Sequence, residues 1–103
     1  MRFLLKATMQ GETGNKAARD GRLGDIIGSI VDHMKPEAVY FLADKGERTA
    51  YVFFEMKDAS QIPSIAEPWF LALNAKLELQ PVMVPADLKK AEPDIAKAVK
   101  NFG

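Results

Sequence analysis

The chain is 103 residues long and 48% hydrophobic, enough for a single domain with a core of its own. Its lack of cysteine excludes disulfides, zinc ribbons, thiol nucleophiles and iron–sulfur clusters, and fits a reducing compartment, so the cytoplasm is the expected location. Fourteen basic residues balance fourteen acidic ones, which removes the electrostatic footprint of a nucleic-acid binder and leaves association with another protein or a second copy unopposed.

The start, Met1-Arg2-Phe3-Leu4-Leu5-Lys6, falls far short of the about 7 to 15 apolar residues of a signal-peptide core. No apolar run approaches the roughly 20 residues of a membrane span, so no membrane partner is expected. Phe3 to Met9 predicts a first strand, with Phe3, Leu5, Ala7 and Met9 on one face and Lys6 and Thr8 on the other. Gly11-Glu12-Thr13-Gly14-Asn15 then reads as a loop. It is not a phosphate loop, because Lys16 follows Asn rather than Gly and no Ser or Thr comes after it to hold magnesium.

A helix is predicted over about 16–34, with the stripe Leu23, Ile26, Ile27, Ile30, Val31 and Met34, stopped by Pro36. Gly21, Gly24 and Gly28 weaken it, and point either to close backbone approach or to a break near Gly21. Two strands follow at 38–43 and 48–56, joined as a hairpin through Asp44-Lys45-Gly46-Glu47, where Gly46 suits a left-handed turn position. In the second of these strands Ala50, Val52, Phe54 and Met56 share one face and Tyr51 and Phe53 the other. A sheet apolar on both sides needs a cover on both sides.

Asp58 to Asn74 carries the only Trp and the second clear helical stripe, Ile62, Ile65, Ala66, Trp69, Phe70 and Leu73. Asp58 or Ser60 is its candidate N-cap, Gln61 a capping-box partner for Asp58, and Pro68 an expected kink. Lys76 to Val84 reads as a last strand, with Pro81 placing it at an edge or a bulge. The tail, 86–103, reads as one broken or two short helices, with Asp87 as a cap and Pro93 starting the second piece.

Adding 39 to the stripe of the first helix gives the stripe of the second, and each helix lies between two strands. The predicted fold is therefore α+β and ferredoxin-like, βαββαβ: a four-stranded antiparallel sheet with two helices on one face and a C-terminal helical tail. Residues 1–85 form the domain and 86–103 its tail. The apolar second face of the sheet is most simply buried by a second copy, giving a homodimer through the open sheet face.

The order of elements, ending in Gln80-Pro81-Val82, resembles the dimeric α+β barrel superfamily, in which two ferredoxin-like sheets pack face to face. Lys35-Pro36-Glu37-Ala38-Val39-Tyr40-Phe41, Asp58-Ala59-Ser60-Gln61-Ile62-Pro63 and Glu67-Pro68-Trp69-Phe70-Leu71 also resemble a bacterial family of about this length with no assigned function. The resemblance covers most of residues 1–92 and implies a fold and a dimer. It does not choose an activity, since the superfamily includes cofactor-free monooxygenases, muconolactone isomerase and haem-degrading enzymes.

Two functions from different classes follow. One is binding of a small apolar or aromatic molecule between helices and sheet, lined by Tyr40, Trp69 and Phe70. The other is a cofactor-independent monooxygenase or isomerase acting on a small aromatic or lactone substrate. Asn15, Arg19 and Trp69 match the residue types on which such monooxygenases rely. Aromatics at helical spacing equally describe a packed core. Lys6, Thr8 and Glu55, polar positions within strands, suit a cavity, a rim or a dimer seam. His33 is the only histidine and lacks the neighbours for a metal site or a triad, so no metal or cofactor is implied.

Overall fold

A computed structural model describes all 103 residues. Strand β1 (Arg2–Thr8) leads into helix α1 (Gly11–Arg19) and helix α2 (Leu23–Met34), followed by β2 (Ala38–Asp44) and β3 (Glu47–Glu55). A short 3-10 turn (Ala59–Gln61) opens α3 (Ile62–Leu73), and β4 (Lys76–Pro81) and α4 (Pro85–Phe102) complete the chain. The four strands form one antiparallel sheet in the order β2-β3-β1-β4. The architecture is α+β and ferredoxin-like.

Strand alternation assigns the two faces. Leu5, Ala7, Ala50, Val52, Phe54 and Met56 point toward the helices and are buried. They pack against Ile30 and Met34 of α2 and Trp69 and Leu73 of α3 as one core. The two helices are true counterparts at an offset of 39. Each is 12 residues long, Ile30 and Met34 answer to Trp69 and Leu73, and each ends on a left-handed residue, Lys35 (φ 50°) and Asn74 (φ 49°). The β2–β3 hairpin turns through Lys45 and Gly46, both at positive φ (52° and 79°), the two-residue turn whose twist matches that of the flanking strands.

The predicted capping box is formed: Asp58 Oδ1 accepts the Ser60 N–H and Gln61 Oε1 accepts the Asp58 N–H, each at 3.0 Å. Some element boundaries need correction. Residues 11–15 are the start of α1 rather than a loop, since the Gly14 N–H reaches the Gln10 carbonyl at 2.8 Å and closes a helical turn at once. Of the two readings of its glycines, the break near Gly21 is the one found: the stretch expected as a helix over 16–34 is two helices, parted where Gly21 takes φ 71°, a conformation a right-handed helix does not contain. β4 stops at Pro81, short of Val84.

The tail is one helix with Pro93 inside it, and α3 runs on through Pro68. Each proline leaves one carbonyl without its helical donor, Ser64 in α3 and Lys89 in α4, and both of those residues are exposed, so water can take the donor's place. Asp87 does act at the start of α4, accepting the Val84 N–H at 3.0 Å.

α4 buries no residue at all. The chain is consequently drawn out, with extents of 59 × 28 × 20 Å and a radius of gyration of 17.2 Å. A compact chain of this length would show about 13 Å. No helix is long and apolar enough to cross a membrane.

Candidate functional site

α2 covers the sheet without sealing its edge. Gly24 and Gly28 lie four residues apart on α2, and a Cβ added at either would meet nothing within 4 Å. The missing side chains leave a groove of about 430 Å³ between α2 and edge strand β2, walled by Leu23, Ile27, Val31, Val39 and Phe41. Asp32 stands at its margin. Past Phe41 it continues into a second hollow of about 430 Å³, which adds Met9, Leu42, Arg48 and Thr49.

Arg48 is held in place from α1. Its Nη1 donates to Asn15 Oδ1 at 2.8 Å, and a Cβ on Gly14 would come within 3.2 Å of the same nitrogen, so glycine permits the guanidinium to lie against the helix. The groove thus presents apolar walls with a carboxylate in its lining, and the adjoining hollow adds a guanidinium and a threonine hydroxyl. That chemistry suits sequestration of an apolar body with at most one or two polar contacts.

The opposite face of the sheet is divided. Leu4, Tyr40, Leu42, Tyr51 and Phe53 form an apolar region, with Tyr40 edge-on to Phe53 at a centroid distance of 6.4 Å and 80°. Beside it lies a polar hollow of about 160 Å³ centred on Lys6. Lys6 Nζ pairs with Asp44 Oδ2 at 2.5 Å and reaches Glu78 Oε2 at 3.7 Å. The hydrogen bond from Lys6 holds the Asp44 carboxyl below the usual carboxylate range, and the same bond raises the Lys6 ammonium. No group of three or more His, Cys, Asp or Glu side chains is placed to hold a metal ion.

Tyr40, Trp69 and Phe70 do not share a pocket. Trp69 is fully buried in the core, Phe70 points outward from α3 and is 44% exposed, and Tyr40 lies on the other side of the sheet, 61% exposed. The physical reason is periodicity: Trp69 and Phe70 are one residue apart on a helix and diverge by about 100°, while Tyr40 alternates away from Val39 and Phe41 in its strand.

Trp69 is likewise parted from Asn15 and Arg19: those two lie one turn apart on α1, Asn15 on Arg48 and Arg19 exposed at the helix end, whereas Trp69 is sealed with its Nε1 unpaired. His33 lies within hydrogen-bond reach of Ser64 (Nε2 to Oγ 3.2 Å) and ties α2 to α3. The groove residues that sequence reading missed are Val39, Phe41 and Arg48. Its only advance signal was the pair of glycines on the apolar stripe of α2.

No family model matches this chain, and no curated protein does. Among solved structures, a formyltetrahydrofolate deformylase from Pseudomonas putida KT2440 is similar over 80% of this chain, at 17% identity and a TM-score of 0.49. This chain spans 29% of the length of that protein. A backbone likeness of that degree carries no activity across.

Proposed function

We propose that this chain is a homodimeric small-molecule-binding protein. Two copies pack their open sheet faces together in the manner of the dimeric α+β barrel superfamily, and the α2–β2 groove of each takes a small apolar or aromatic molecule. The supporting observation is the groove itself, about 430 Å³ walled by five large apolar side chains and kept open by Gly24 and Gly28. Its volume lies in the range of about 300 to 1,000 Å³ typical of ligand clefts. Covering its apolar walls would contribute about 25 cal/mol for each Å² removed from water.

A catalytic reading has less support, because Trp69 is sealed in the core, apart from Asn15 and Arg19 on α1. Titration with anilinonaphthalene sulfonate, an apolar aromatic with one anionic group, tests the binding reading. The wild-type chain should bind and enhance the dye's fluorescence, and Gly28→Leu, which fills the groove from α2, should weaken that binding at least tenfold. Equal affinity in the two chains refutes the groove as the binding site.

A further inference from the structure

The chain exposes more surface than a folded monomer of its mass. Its accessible area is 7263 Å², whereas a compact monomer of 11.4 kDa has about 5,800 Å². The excess of about 1,500 Å² is roughly twice the ~800 Å² that each partner buries in a standard stable complex. α4, which buries no residue, is the most exposed helix. Leu88, Ile95, Val99 and Phe102 are 52, 49, 63 and 91% exposed, and with Ala91 and Ala98 they recur at spacings of three and four along one side of the helix. Most helical stability in proteins comes from packing an amphipathic face, and α4, weakened by Pro93 in its interior, buries no residue within its own chain.

Within one chain α4 does not cover the groove, since it buries no residue against its own body. α4 departs from β4 and the groove lies beside β2, at opposite edges of the sheet, three strand spacings or about 14 Å apart. Two sheets packed face to face change this. A two-fold axis between them and parallel to the strands sets the β4 edge of each copy beside the β2 edge of the other, whereas an axis across the strands brings like edges together. In the first arrangement α4, 18 residues and so about 27 Å long, easily spans the roughly 10 Å between stacked sheets. It meets the partner where Gly24 and Gly28 leave α2 open to close approach.

We propose that α4 of a second copy lies across the α2–β2 groove, its apolar stripe forming the outer wall, so that each ligand site is built from two chains. The inference rests on the dimer and groove reading above and adds the partner's contribution to the site. It also gives one occupant to both unpartnered apolar surfaces, the groove and the α4 stripe.

The absence of cysteine makes the contact directly measurable. Full-length Gly28→Cys and Ile95→Cys chains, both altered at positions that no neighbour of their own chain seals, are refolded together and treated with a short bis-maleimide. The mixture should give a covalent dimer at least fivefold above either chain alone, and a chain carrying both substitutions should link to a second copy. Cross-linking of Ile95→Cys to itself, a purely intramolecular bridge in the double variant, or no product above the controls overturns the proposal. Dye titration of Ile95→Asp/Val99→Asp then separates the two readings. A mixed cross-link in a wild-type chain that binds no dye upholds the α4 contact while the ligand reading fails. Dye binding unchanged by the Asp pair, with no mixed cross-link, leaves the groove a one-chain site and overturns the α4 wall.

Discussion

Trp69 is the largest side chain buried completely, and its indole N–H has no hydrogen-bond partner. Two opposing effects therefore meet at one position. Removing the ring in Trp69→Ala should cost about 3 to 5 kcal/mol through lost burial and the cavity left behind. Trp69→Phe keeps most of the packing and relieves an unpaired buried donor, a group that by itself costs about 1 to 3 kcal/mol, so its penalty should stay below about 2 kcal/mol. Urea titration of the two variants checks the order, and a larger loss for Phe than for Ala would contradict the account.

The Lys6–Asp44 pair makes a pH prediction whose sign is fixed. The Asp44 pKa is lowered in the folded chain from its ordinary 3.8. Its contribution to stability is thus fully present above that value and disappears as pH falls through the depressed folded pKa. The Lys6 pKa is raised from 10.5, so its contribution is present below that value and lost as pH rises through the raised folded one. Asp44→Asn should therefore lower the urea midpoint at neutral pH, with wild type and variant converging in acid below the folded pKa of Asp44. A midpoint difference that persists unchanged into strong acid would exclude the pair as its source.

Among the elements, the counterpart helices α2 and α3 were legible before any tertiary contact was known. A 3.6-residue stripe, a cap and a following proline or asparagine are all properties of neighbouring residues, and the 39-residue offset extends to the left-handed caps Lys35 and Asn74. Lys35 takes that conformation with a Cβ, whereas Gly21 takes a similar one without it. Lys35→Gly should accordingly be neutral to stabilising by up to about 1 kcal/mol, and Gly21→Ala destabilising by about 1 to 2 kcal/mol. Thermal melts of both single variants measure this contrast. What sequence missed at this scale was the helical conformation of residues 11–15, whose two glycines signal a loop by composition. In the structure Gly14 gives Arg48 room beside α1, a long-range contact that composition does not encode.

For the whole molecule, the apolar region around Tyr40, Tyr51 and Phe53 on the open face is the proposed seam. Burying a charge there without a partner costs several kcal/mol, enough to break a dimer whose interface is of standard size. Phe53→Asp should sediment as a monomer or fail to stay soluble, and the midpoint of wild-type thermal unfolding should rise with protein concentration. A soluble Phe53→Asp dimer of unchanged mass would refute the seam at that residue.

The sequence by itself determined the α+β class, the hairpin, the two matched helices, the capping box and which strand faces carry apolar residues, because each is written in residues a few positions apart. The tertiary structure alone decided that Gly24 and Gly28 open onto Val39 and Phe41, and that Lys6 meets Asp44. It also decided that α4 stands clear of the body of the chain. Those relations join residues far apart in the chain, and they depend on strand order and register, which no local period specifies.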